Sequence, residues 1–159
     1  QKMIELYIKN NCDCDSKGIG EYLEKIIKIG IDNVPTYPIH SDLYMGNIKV
    51  QNGKFKSFMD FSDIRESYFE DDLGKFFQSI LMEGSIESDD IANLIKVYES
   101  ESRISLSKKN VYVSILYCML DRYFNREHII SDKQKIISVV QELLEQLERD
   151  CVGKNEIDL

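Results

Sequence analysis

Apolar residues recur at helical spacing through MIELYIKN and again through IGEYLEKIIKIG, which predicts two short helices near the start of the chain. Gly30 is placed to stop the second, and residues 32–38 then read as a loop. The period changes at NIKVQNGKFKSFMDF. Two β-strands flank Gln51-Asn52-Gly53-Lys54, and Asn-Gly readily takes the positive φ angles of a type I′ turn. From Asp71 onward the pattern is helical again, in DDLGKFFQSILMEG, SDDIANLIKVYESES, LSKKNVYVSILYCMLDRYFNRE and SDKQKIISVVQELLEQLERD. Ser88 or Asp89, Ser107, and Ser131 or Asp132 are suited to accept a first-turn N–H at the starts of the last three. The tail VGKNEIDL reads as a fraying end. The predicted architecture is mainly α with one short β-hairpin, and no repeat, low-complexity stretch or linker divides residues 1–159 into more than a single domain.

Composition narrows the classes. Among 159 residues, 43% are hydrophobic and 30% charged, an ordinary globular balance. No run approaches the roughly 18 apolar residues of a membrane span, and the first residues lack the basic start and apolar stretch of a signal peptide. A soluble, cytoplasmic protein without membrane contact is the expectation. With 28 acidic against 20 basic side chains the net charge is −8, which disfavours nucleic acid as a partner. Four cysteines, Cys12, Cys14, Cys118 and Cys151, read as free thiols. The Cys12-x-Cys14 pair has no second pair at zinc-site spacing, and His40 and His128 lie far from it.

The chemistry concentrates in PIHSDLYMGN, residues 38–47, immediately before the hairpin. Asp42 and Asn47 precede the first strand and Asp60 ends the second, so the hairpin brings three oxygen-bearing side chains together. Such oxygens suit Mg²⁺, which uses one or two protein carboxylates with substrate phosphates and several waters. The remaining carboxylate is available to orient an acceptor hydroxyl. That is the division of labour in phosphoryl transfer, and the kinase spacing H-R-D-L-x-x-x-N is met by His40, Asp42, Leu43 and Asn47 without the arginine. Taken singly, each residue has a plainer reading, His40 as a packed loop residue and Asp42 and Asn47 as turn-stabilising side chains.

Together, His40, Asp42, Leu43, Gly46, Asn47, Asp60, Phe61, Asp63, Asp72 and Leu73 resemble the aminoglycoside phosphotransferase and choline kinase family of small-molecule kinases, whose pattern runs H-G-D-L-x-x-x-N, a hairpin, I-D-F-x-D and D-L-A. The similarity is carried by residues 38–77. It implies a protein-kinase-like C-terminal lobe, α+β in the full-length family, that passes a phosphoryl group from ATP or GTP with Mg²⁺ to a small-molecule alcohol, in some members as antibiotic resistance. It implies Asp42 as the catalytic aspartate, Asn47 and Asp60 as metal ligands, and His40 and Asp72 as supports of the catalytic loop. Asp63 and Glu66 are weaker candidates for substrate binding. The acidic residues Asp63, Glu66, Glu70 and Asp71 favour a polycationic acceptor such as an aminoglycoside, with choline-like, sugar, macrolide and homoserine acceptors open.

The chain also departs from the pattern. Ser41 replaces the usual Gly, with strain expected if that Gly serves for backbone freedom; Tyr44-Met45 replaces a common His-Pro; and Ser67-Tyr68-Phe69 stands where Gly-Asp-Pro is common. Ahead of His40 there is no glycine-rich loop and no strand lysine with a helix glutamate, so the β-rich nucleotide lobe is expected to be absent and this chain alone to lack full activity. The alternative is a non-catalytic helical module derived from such a lobe, binding a partner or dimerising through the surface where the missing lobe would sit, or pairing through its last helix. Core packing is the plainer use of Ile136, Val140, Leu143, Leu144 and Leu147. Tyr112, Tyr117, Tyr123 and Phe124 either pack or line the acceptor side, Cys118 belongs to the core, and His128 reads as a turn residue.

Overall fold

A computed structural model describes residues 17–125 and 130–152. The helix expected at MIELYIKN, the Cys12/Cys14 pair, His128, the side chains of Ser131, Asp132 and Cys151, and the tail after Val152 lie outside the described residues. Helix α1 (Lys17–Ile29) buries Ile19, Leu23 and Ile26. It stops at Gly30, whose φ of 67° is left-handed and whose N–H reaches the Ile26 carbonyl at 3.1 Å. Strand β1 (Tyr37–Ile39) follows, then a 3-10 turn (Met45–Asn47) and the hairpin β2 (Ile48–Gln51) and β3 (Lys54–Phe58). Asn52 and Gly53 have φ of 53° and 70°, both positive as a type I′ turn requires.

One strand pair was not read from the periodicity. The end of the stretch expected to be loop belongs to β1, which pairs antiparallel with β4 (Arg65–Ser67), Tyr37 opposite Ser67 and Ile39 opposite Arg65. Each strand has only three residues, too few for alternation to register, and Pro38 is tolerated because the ribbon is all edge. The pair closes the chain on either side of the hairpin, fixing where the loop before β2 and the segment after β3 lie.

The rest is helical: α2 (Phe69–Glu83), a 3-10 turn (Ser88–Asp90) leading into α3 (Ile91–Ser102), α4 (Lys108–Asn125) and α5 (Ile130–Val152). Helix α2 starts two residues before the expected Asp71, and Gly84 in the left-handed region ends it. Ser107 caps α4 by accepting the Asn110 N–H at 3.2 Å. The cap before α3 differs from expectation. Glu87 and Asp90 form a capping box there, while Ser88 donates to Glu142 at 2.7 Å and Asp89 accepts from Gln146 at 2.6 Å, so both candidate caps are spent tying this turn to α5.

The core lies among α1, α2, α4 and α5. Val111, Val113, Ile115, Leu116 and Met119 of α4 and Leu143 of α5 are fully buried, and Ile136, Val140, Leu144 and Leu147 are nearly so. The last helix therefore spends its apolar stripe inside the fold, not on a second helix. Tyr112 and Tyr123 are core residues, with Tyr117 and Phe124 packed against them. Helices α2 and α4 pack tightly at Gly74, where a Cβ would stand 2.4 Å from the Ser114 Cβ. Only glycine fits that contact, and it sets the first turns of α2 firmly against the core.

Candidate functional site

The first turn of α2 carries Glu70, Asp71 and Asp72, suited to the positive end of the helix dipole. Asp72 reaches back to the loop after β1: Oδ2 accepts the His40 backbone N–H at 2.8 Å and Oδ1 the Ser41 N–H at 2.7 Å. Both carboxylate oxygens are thus engaged by consecutive amides, a charge-assisted pair that fixes the loop's height on the helix. Ser41 turns the chain there with φ of 67°, a left-handed conformation that costs a residue with a Cβ about 1–2 kcal/mol. The hydroxyl of Ser41 is buried without a partner.

The turn presents Asp42, partly buried, beside Asn47. The Asn47 amide nitrogen donates to the Asp42 carbonyl at 2.9 Å and to Asp42 Oδ2 at 3.1 Å, while Asn47 itself is buried. The Asn47 carbonyl accepts the Met59 N–H at 2.8 Å, so the two ends of the hairpin are bonded directly and Asp60 follows the bond by one residue. His40, also buried, places Nε2 2.8 Å from the Met59 carbonyl and packs its ring 4.9 Å from Phe61. The Met59 contact requires Nε2 to donate, and the buried Nδ1 has no partner. His40, Asp42, Asn47, Asp60 and Asp72 are in this way gathered around one loop, one hairpin base and one helix start.

Asp60 is itself left-handed, φ 58°, and exposed. Its Oδ1 accepts the Ser62 hydroxyl at 2.8 Å and the Ser62 N–H at 3.4 Å, and these two bonds hold its carboxyl below the usual range. The donor set suits a hard cation. With its nitrogen turned to Asp42, the Asn47 amide directs Oδ1 the other way, and Asp60 Oδ2 is uncommitted. Among the described residues, no group of three or more His, Cys, Asp or Glu side chains is gathered that could hold a metal ion.

The acidic residues near the loop are not equivalent. Glu70 is buried and accepts the Ser107 N–H at 2.8 Å, joining α2 to the start of α4. Asp71 accepts from the Ser67 and Ser114 hydroxyls, the latter at 2.9 Å, and lies 3.8 Å from Arg65. Glu66 accepts from Thr36 at 2.8 Å. Asp63 is the one exposed, uncommitted carboxylate of the four.

Two features were missed in the sequence. Lys75, one turn into α2 from Asp72, brings its ammonium to 3.7 Å from Asp42 Oδ1. The spacing of three residues from Asp72 was the available signal, since it puts both on one helix face. The second is an apolar surface around the hairpin: Val50, Phe55, Phe61 and Ile64 are each more than half exposed, with Phe58 and Met59 only slightly less so. Cys118 is a free thiol whose pKa burial pushes up to about 11, so it is inert at neutral pH. Among the described residues no helix is long and apolar enough to cross a membrane.

No family model, curated protein or solved structure matches this chain.

Proposed function

We propose that this chain is the catalytic and acceptor-binding lobe of an ATP- or GTP-dependent small-molecule phosphotransferase, active only together with nucleotide-clamping elements that these residues do not supply. The observation that carries the reading is the bonded set Asp72 to His40 and Ser41, Asn47 to Asp42, and Asn47 to Met59. It holds one part-buried carboxylate on a bonded loop and leaves two further oxygens, Asn47 Oδ1 and Asp60 Oδ2, uncommitted at the hairpin base. Asp42 would orient the acceptor hydroxyl and take its proton as the new O–P bond forms and the bond from the γ-phosphorus to the departing nucleoside diphosphate breaks. Asn47 and Asp60 would hold Mg²⁺, which supplies charge neutralisation on the phosphates.

The test is titration of the chain with Mn²⁺, with and without ATP, read by paramagnetic broadening of backbone amides. Broadening centred on Asn47 and Asp60, lost in Asp60→Ala and retained in Asp42→Ala, is the expected outcome. Uniform or absent broadening removes the metal half of the reading. In a preparation that also contains a nucleotide lobe, Asp42→Ala is expected to abolish transfer while sparing nucleotide binding.

A second reading rests on the exposed apolar hairpin. A patch of this kind usually marks an interaction surface. A non-catalytic module would use it to dimerise or to bind a protein partner. Sedimentation of the wild type against Phe55→Ser with Phe61→Ser decides: a dimer that the double change dissolves favours the module.

A further inference from the structure

We propose that Lys75 is a specificity-determining residue that selects a hydroxyl acceptor carrying a carboxylate or phosphate over one carrying an amine. The inference rests on the phosphotransferase reading for the role of Asp42. It stands on the lysine ammonium that faces the Asp42 carboxylate, and on the neighbouring acidic side chains, most of which turn an oxygen to a donor within the fold.

The two oxygens of Asp42 are divided between donors. Oδ2 takes the Asn47 amide at 3.1 Å, and Oδ1 faces the Lys75 ammonium at 3.7 Å. Neither member of the ion pair is a freely waving surface tip, since the side chains are 34% and 32% exposed. An acceptor amine approaching Asp42 would meet Lys75 where it needs a carboxylate, and like-charge juxtaposition is an effective way to reject a ligand. An anionic group beside the hydroxyl meets the same ammonium favourably.

The neighbouring carboxylates keep their charge, but most are held in direction by donors within the fold. Glu70 holds the Ser107 N–H, Asp71 holds Ser67 and Ser114, Asp72 holds the loop amides, and Glu66 holds Thr36. Asp63 is exposed without such a donor and stands on the loop between β3 and β4.

The experiment is an NMR titration of the chain with glycerol 3-phosphate and, separately, spermidine, following the Lys75 ε-methylene and the Asp42 carboxyl carbon. Glycerol 3-phosphate is expected to shift both signals in the wild type, with affinity falling about threefold or more in Lys75→Met and kept in Lys75→Arg, in line with the modest strength of a part-exposed charge pair. Spermidine is expected to leave Asp42 unmoved until Lys75→Met frees it. Spermidine shifting Asp42 equally in wild type and Lys75→Met, or glycerol 3-phosphate moving neither group, overturns the proposal. Failure of Mn²⁺ to broaden Asn47 and Asp60 instead removes the transfer reading, while the two probes still report whether Lys75 discriminates by charge.

Discussion

The helical core and the hairpin draw on the same kinds of residue for opposite ends. In α4 and α5, Ile115, Leu116 and Leu143 have no exposed surface at all, whereas in the hairpin region Val50 is 55% and Phe55 59% exposed. Apolar side chains in the core are removed from water and carry the fold. Those around the hairpin stay largely in water and contribute little to holding the chain together. The candidate site sits at the seam, with Asp72 rooted in the buried side and Asn47 and Asp60 at the base of the exposed one.

The contrast breaks most visibly under truncation. Leu143→Ala should cost about 2–5 kcal/mol in urea unfolding, by lost burial plus the cavity left behind. Phe55→Ala should stay within about 0.5 kcal/mol, as surface substitutions do. A loss above about 2 kcal/mol at Phe55 would show that the hairpin is buried in solution, by a second copy or a folded-back segment.

Asp72 tests the seam itself. Asp72→Ala strands the His40 and Ser41 amides, and leaving part-buried donors unmade should cost about 1–3 kcal/mol each at most. Hydrogen exchange at those two amides should accelerate far more than at α5, because the loop opens while the core stays shut. Equal acceleration everywhere would mean that Asp72 supports the whole fold and not the loop.

Much of the helical part was legible because α1, α2 and α4 keep a helical period and end or start on residues with local reasons, Gly30, Gly84 and Ser107. The hairpin was legible through Asn52-Gly53. The β1–β4 pair was not, since three residues carry no period, and the α3 cap was misjudged because Ser88 and Asp89 found better partners across the fold in Glu142 and Gln146. At the site, the residues of the motif were legible as a set; the Lys75 contact needs the loop after β1 to fold back onto α2, and the bonds of Glu70 and Asp71 depend on α2 packing against α4, which no local pattern encodes.

A smaller effect runs in the opposite direction. Ser41 holds φ of 67° and buries an unpartnered hydroxyl, so Ser41→Gly removes two unfavourable features and should stabilise by about 1 kcal/mol, less the extra freedom glycine has when unfolded. Ser41→Val should destabilise, because a β-branched residue tolerates that backbone least. Thermal melts of the pair read the sign directly, and Ser41→Gly melting below wild type would mean that the hydroxyl is solvated after all.

The smallest effect concerns Asp60, which is fully exposed, so its value lies in charge and not in stability. The Ser62 hydroxyl and amide hold its carboxyl below the usual range, which makes the folded state favour the carboxylate. Whatever that preference contributes is present above the ordinary carboxylate pKa and is lost as pH falls through the depressed folded value. Ser62→Ala removes the larger of the two donors and should move the Asp60 titration, followed at its carboxyl carbon, back toward the ordinary range while the core signals stay fixed. An unshifted titration would mean that Asp60 is turned away from Ser62 in solution. In that case both of its oxygens, and not Oδ2 alone, would be open to a cation at the hairpin base.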